Sequence, residues 1–168
     1  MSFRTAAAMT HSIIQDFTAP DHDHASCVDA AMGAAEKLCE ARGERLTPLR
    51  RRVLQLVWDS HRPVKAYELL ELLADGGKRP APPTVYRALE FLHEAGLVHR
   101  LESLNAFVGC AKPTQRHSAQ FLICRACGSV AELNDAGLSA KVVARAGKLG
   151  FAVEEQRIEI KGLCPDCR

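Results

Sequence analysis

The chain has 168 residues, 47% of them hydrophobic, and a formal net charge of +2. This length allows one medium domain or two small ones with a true core, and a charge this small permits nucleic acid as a partner without arguing for it. No apolar run approaches the ~20 residues of a membrane span, and the N-terminus MSFRTAAAMTHSIIQDF lacks the continuous apolar stretch and cleavage site of a secretory signal, so a soluble, cytoplasmic protein is expected.

Residues 1–27 show no sustained period and are expected to form a flexible tail. The segment holds His22, His24 and Cys27, which are either an extra metal site or simply part of that tail; the tail is the reading preferred here. From Val28 to Arg42, Ala31, Ala34, Ala35 and Leu38 recur at helical spacing. Cys39 lies in that stripe as a buried thiol, and Gly43 ends the helix. Thr47-Pro48 starts a second helix, with Thr as N-cap and Pro where its missing N–H costs nothing. Val53, Leu54, Leu56 and Val57 supply its apolar face, and Pro63 breaks the pattern. A third helix runs from Lys65, which is a poor N-cap, to Ala74, and Asp75-Gly76-Gly77 closes it. Pro82-Pro83 opens a fourth, from Pro83 to Ala95, capped by Gly96. Val85, Ala88, Leu89 and Leu92 fall on one stripe of this helix, and Tyr86, Arg87, Glu90 and Glu94 on the opposite face.

Two short strands follow, Leu97–Leu101 and Ala106–Val108, around a polar turn at Ser103-Leu104-Asn105. Helices followed by a hairpin give a winged helix-turn-helix over residues 28–110. Pro113 and its polar neighbours mark a hinge at 111–117. Ser118–Cys124 is strand-like, Asn134-Asp135 caps a helix from Ala136 to Leu149, and Val153–Leu163 alternates in part. Residues 118–168 therefore read as a small α/β unit, and the whole chain as α+β.

Seven cysteines stand at 27, 39, 110, 124, 127, 164 and 167. Four of them form two C-x-x-C pairs, Cys124/Cys127 and Cys164/Cys167. In a chain without a secretion signal this spacing favours metal over a disulfide framework. Two such turns complete a tetrahedral set of four thiolates suited to Zn²⁺, with no open position, so the role is structural; the competing reading is one or two redox pairs. A second, mixed set comes from the hairpin. If the turn is centred between Leu104 and Asn105, His99 faces Cys110 across the strands, ~5 Å apart on one side. His117 across the hinge and Glu132 beyond the first C-x-x-C supply the other half, and a thiolate in the set points to Zn²⁺ rather than Mg²⁺ or Mn²⁺. The alternative is an exposed wing histidine and a solvated surface acid.

The stretches RLTPLRRRVLQLVW (45–58), PPTVYRALEFLHEAGLVHRLES (82–103), HSAQFLICRACG (117–128) and GLCPDC (162–167) resemble the ferric uptake regulator superfamily, and within it the zinc uptake regulator branch. The resemblance runs from about Cys27 to the C-terminus. Iron-type members carry His-His-Asp-His just before the first C-x-x-C, where this chain has Ser118-Ala119-Gln120-Phe121, and Cys110 stands where a thiol ligand marks the zinc branch. The resemblance implies a structural zinc at Cys124, Cys127, Cys164 and Cys167, and a regulatory zinc at His99, Cys110, His117 and Glu132, two ions per chain. It implies DNA contacts at Tyr67 and Arg87, and a homodimeric repressor of zinc uptake genes bound to palindromic double-stranded operator DNA.

On that reading the fourth helix enters the major groove. Arg87 takes guanine O6 and N7, or else pairs with Glu90 or Glu94 on its own helix. Thr84 and Tyr86 flank it, and Arg51, Arg52 and Lys65 meet phosphates, which position without specifying. Three rivals stand beside it. One is a sensor of iron, manganese, nickel or peroxide. Another is a zinc enzyme, against which the sequence offers neither HExxH nor an open coordination position. The third is a zinc-storage or interaction module without sequence-specific DNA affinity.

Overall fold

The computed structural model describes residues 12–17, 23–59, 62–74, 80–114 and 118–168. Four helices carry the first half, and their ends follow from capping chemistry. α1 (His24–Ala41) starts where the Asp23 carboxylate accepts the Ser26 amide. That is one turn before the apolar period begins, because the first turn carries no stripe. α2 (Pro48–Trp58) starts at Thr47, whose hydroxyl accepts the Arg50 amide, with Pro48 in the first turn. α3 (Ala66–Ala74) solves the missing cap at Lys65 in reverse: the Glu68 carboxylate accepts the Lys65 amide at 2.6 Å. This is the return half of a capping box. α4 (Pro82–Glu94) has no side-chain cap at Ala81 and begins with two prolines that have no N–H to satisfy.

The stripes expected of α2 and α4 bury, whereas in α3 Leu69 and Leu70 bury, Leu73 is half-buried and Leu72 is exposed, and in α1 Ala31, Ala34 and Leu38 are half-buried. Ala35 and Cys39 of α1, Val53, Leu54 and Val57 of α2, Leu69 and Leu70 of α3, and Val85, Leu89 and Leu92 of α4 share one core. The wing, β2 (Val98–Leu101) and β3 (Ala106–Gly109), is an antiparallel hairpin, and a bridge from Val64 to Phe107 ties it to the segment before α3.

The second half is a four-stranded sheet in the order β1-β5-β4-β6. β4 (Gln120–Cys124) pairs antiparallel with β5 (Val130–Asn134) and parallel with β6 (Ile158–Gly162). The crossover between β5 and β6 carries α5 (Ala136–Gly147), capped by Asp135 through the Leu138 amide. β5 is absent from the sequence reading because Val130, Ala131 and Glu132 are buried in succession, without the alternation that announces a strand. β1 (Ser12–Gln15) lies along the outer edge of β5, Ile13 opposite Leu133 and Gln15 opposite Glu132. Together with the first turn of α1, it places regular structure where a flexible tail over 1–27 is expected. Residues 1–11 and 18–22 of that tail, His22 included, lie outside the described residues, as does Asp75-Gly76-Gly77 after α3.

This half has a thin interior. α5 buries no residue, and Leu138, Val142, Val143, Phe151 and Ile160 stay exposed. Its small apolar cluster is shared with the wing: Leu101, Leu104 and Val108 pack with Phe121, Ile123 and Val130. Among the described residues no helix is long and apolar enough to cross a membrane.

Candidate metal centres and nucleic-acid interface

β4 and β6 run parallel and side by side, Cys124 opposite Gly162, so the C-x-x-C turns that follow each strand emerge at the same end of the sheet. Gly128, at φ +75°, lets the first turn close back, its amide donating to the Cys124 carbonyl at 2.9 Å. Cys164 precedes a 3₁₀ turn, Pro165–Cys167, that returns the second pair. The four sulfurs all lie within 4.8 Å of one another. The Cys127–Cys164 Sγ separation is 3.7 Å, against an edge of about 3.8 Å for a tetrahedron of ~2.3 Å Zn–S bonds. Electrostatics point the same way. The backbone amides of Cys127 and Cys164 lower the Cys124 thiol to about 6, and the Ser129 hydroxyl lowers that of Cys127. The neighbouring Cys164 and Cys127 groups push Cys167 up to about 12. The chain unaided does not ionise all four, whereas a soft divalent cation among them does. The residues fit Zn²⁺.

The mixed set also comes together, though not by the route the sequence suggests. His99 faces Val108, not Cys110, and Cys110 donates its amide to the Leu97 carbonyl. The wing turn is centred between Ser103 and Leu104, one residue earlier than expected. The pairing shifts by two residues, and an even shift keeps the side chain on the same face. Cys110 is thus a diagonal neighbour of His99. Glu132, at the centre of β5, completes a trio whose ligand atoms lie within 4.8 Å of one another. His99 Nε2 stands 3.1 Å from the Glu132 carboxylate and packs edge-on to Phe121 at 5.2 Å. Glu132 is 3% exposed, and a carboxylate buried that deeply is costly unless a cation offsets it. Burial, then the Glu132 carboxylate, pushes the Cys110 thiol up to about 12. Imidazole, thiol and carboxylate in one buried cluster fit a borderline cation such as Zn²⁺. His117, the fourth expected ligand, lies outside the described residues.

The outward face of α4 is as predicted, with Tyr86, Arg87, Glu90 and Glu94 exposed opposite the buried stripe, and Thr84 is exposed in the first turn. Tyr67 is exposed at the start of α3, with the Lys65 ammonium 5.8 Å from its ring. Arg52 is exposed and donates to Gln55. Arg51 is ion-paired with Glu36 of α1, which competes with the expected phosphate contact.

Three positions escaped the sequence reading. Arg50 stacks on Phe91 of α4 at 3.4 Å and donates to the Arg45 carbonyl, fixing α2 against α4. Gly109, next to Cys110 in the chain, is pressed against the Trp58 ring, where any Cβ would overlap it. Gln120, 1% exposed, donates to the Asp135 carbonyl and Ser139 hydroxyl and accepts the Asp135 amide, locking β4 to the start of α5. A glycine beside a candidate ligand was the one legible signal among them.

Residues 41–161 match the model of the ferric uptake regulator family. The chain belongs to the ferric uptake regulator family. It is accordingly a transcription regulator, not an enzyme. Its two halves are the N-terminal winged-helix DNA-binding domain and the C-terminal dimerisation domain of that family. It is 42% identical to the zinc uptake regulation protein of Escherichia coli (strain K12) over 139 residues, covering 81% of this chain and 80% of the relative. A solved zinc uptake regulator complexed with zinc and DNA superposes with a TM-score of 0.79 at 41% identity, over 83% of this chain and 93% of that one. The regulator XcZur superposes in its holo form with a TM-score of 0.74 (49% identity; 80% of this chain, 94% of that one). In its apo form the score is 0.51 at 47% identity, over 84% and 98% of the two chains.

Proposed function

We propose that this family member is a zinc-responsive repressor of zinc uptake genes, acting in the cytoplasm as a homodimer on a palindromic operator. The single observation that carries the reading is the trio His99, Cys110 and Glu132. Two members stand on the wing and its exit and one on the sheet of the dimerisation domain, so they meet only when wing and sheet meet. The domain limits follow: a DNA-binding domain ending near residue 110, a hinge at 111–117 with His117 at its end as fourth ligand, and the dimerisation domain from 118.

Cys124, Cys127, Cys164 and Cys167 hold one zinc that staples β4 to β6, and the mixed set holds a second. His99, Cys110 and Glu132 would hold a zinc ion there, which would supply the positive charge that offsets the buried Glu132 carboxylate and a Cys110 thiolate. His99 and Cys110 thereby fix the wing, and with it α4, against the dimerisation domain. In a dimer this sets the separation and tilt of two α4 helices, each offering Arg87 to a guanine with Thr84 and Tyr86 around it; Tyr67 of α3 stands beside them, and Lys65 and the α2 residues Arg51 and Arg52 turn toward phosphates. Arg51 must exchange Glu36 for a phosphate to do so. The likeness of this chain to the holo rather than the apo form of XcZur, at nearly equal identity, supports a closed, metal-loaded pose. The zinc-and-DNA complex at 41% identity supports the choice of metal and partner.

The test is a titration of the purified dimer against duplexes that it selects from a random library, over buffered free zinc. Tight, sequence-specific binding should appear only as zinc rises, with one zinc per chain already present beforehand. Binding that ignores zinc, or that follows iron or manganese instead, overturns the reading.

A further inference from the structure

Three residues form one row across the dimerisation sheet: Glu132 opposite Phe121, and Phe121 beside Glu159. Partners in register project to the same face, and here that face meets the wing. Glu132 and Phe121 meet His99. Glu159, at the far end of the row, meets the wing turn without any metal. Its two carboxylate oxygens accept the amides of Glu102 and Ser103 at 2.7 and 3.1 Å. The turn uses its other two amides internally, Leu104 to Leu101 and Asn105 to Glu102. The pair left over is the pair that Glu159 receives. Burial acts to raise its carboxyl, but the Ser103 hydroxyl and the Ser103 and Glu102 amides outweigh this and hold it below the usual range.

Two residues earlier, Arg157 widens the contact. Glu155 fixes its guanidinium by two bonds, at 3.0 and 2.7 Å. From there it donates to the Glu102 carboxylate at 2.5 Å and to His93 Nε2 at 3.4 Å. His93 lies in the last turn of α4, and its Nδ1–H donates to the Val98 carbonyl at 3.2 Å. One guanidinium therefore touches the wing and the end of α4 together. A fork already fixed by Glu155 loses little entropy in making these bonds.

We infer that Glu159 and Arg157 form a metal-independent clasp that holds wing and α4 in the same pose the His99–Cys110–Glu132 trio closes, and so set the free-zinc concentration at which the protein switches. The inference rests on the zinc-regulated reading above. Its basis is linkage: a contact made only in the closed pose raises the fraction of chains already competent to take the metal, and apparent affinity scales with that fraction. Surface ion pairs contribute little singly. Two charge-assisted bonds to backbone amides, joined by a pre-set arginine, are a stronger set. The clasp also gives the four-cysteine site a second consequence, because β6 carries Glu159 and runs directly into Cys164.

The experiment uses the full-length dimer with Zn²⁺ as the probe, competing against a chromogenic chelator, for the wild type, Glu159→Ala and Arg157→Ala. For Glu159→Ala, the free-zinc midpoint of the second site should rise about three- to tenfold. Glu159→Gln, which retains one acceptor oxygen, should fall between. Arg157→Ala should shift in the same direction by less. The first zinc, the dimer and DNA affinity at saturating zinc should stay as in the wild type, a pattern that simple misfolding does not give. Midpoints that coincide with the wild type in both alanine variants overturn the clasp, and so does an equal loss of DNA affinity at limiting and saturating zinc. A wild type with no zinc-dependent DNA binding overturns the functional reading instead.

Discussion

The two candidate metal centres differ in their ligands, four thiols against one imidazole, one thiol and one carboxylate, and they are held in opposite ways. The four cysteines lie in one domain, in turns that leave two hydrogen-bonded parallel strands at the same end. Strand pairing within that one domain brings all four together. His99 and Cys110 belong to the wing, and Glu132 to the other domain's sheet, so their site exists only while two domains touch. A site within one unit stabilises that unit; a site divided between units reports and biases their arrangement. The dimerisation domain needs the first kind, since α5 buries nothing and the apolar cluster beneath the sheet is small and shared. The DNA-binding domain has its own core and can be moved as a body.

The largest test of this contrast is Cys164→Ala. Structural zinc sites in small domains are coupled to folding by on the order of 10 kcal/mol, so the variant should lose its dimer on a sizing column and its tightly held zinc together. A stable, dimeric Cys164→Ala protein would remove the distinction at its root. Next comes Cys110→Ser, which should retain fold, dimer and one zinc per chain while zinc-dependent DNA binding falls by ~100-fold. Loss of both zincs would show that the two centres are not independent. Arg87→Ala leaves both centres alone. It should weaken operator binding by about 1–3 kcal/mol and relax specificity at one base pair, checked by competition among duplexes with single substitutions. The smallest change is Gly109→Ala. Its Cβ must displace the Trp58 ring, costing about 1–3 kcal/mol of packing, and the strain falls beside Cys110. The emission of Trp58, the sole tryptophan, should shift. Regulatory zinc should weaken about tenfold while the four-cysteine zinc stays put. A spectrum and zinc affinity identical to the wild type would show that Gly109 does not position the ligand.

Some of this was open to reading from residues alone. The helical stripes of α2 and α4 were legible because a 3.6-residue period survives any tertiary arrangement that buries one face. The paired C-x-x-C spacing was legible because a tight turn constrains both thiols locally. The mixed set was reached through a wrong register; His99 and Cys110 still share a face, and meet Glu132, because a shift of two residues leaves the face unchanged. β5 and β1 were not legible. Glu132 interrupts the apolar run of β5, and Ser-Ile-Ile-Gln becomes a strand only because β5 offers it an open edge. Arg51 looked free for phosphate until α1 brought Glu36 to it.

By itself the sequence determined which residues face inward along α2 and α4, where α2, α4 and α5 begin, and that each C-x-x-C turn brings its own two thiols together, since all three depend on neighbours within a few positions. Only the tertiary structure decided that Glu132 joins His99 and Cys110, that Glu159 rather than solvent receives the wing-turn amides, and that Trp58 rests on Gly109. Those contacts join segments dozens of residues apart, and no local periodicity encodes which strand edge or turn a distant side chain will meet.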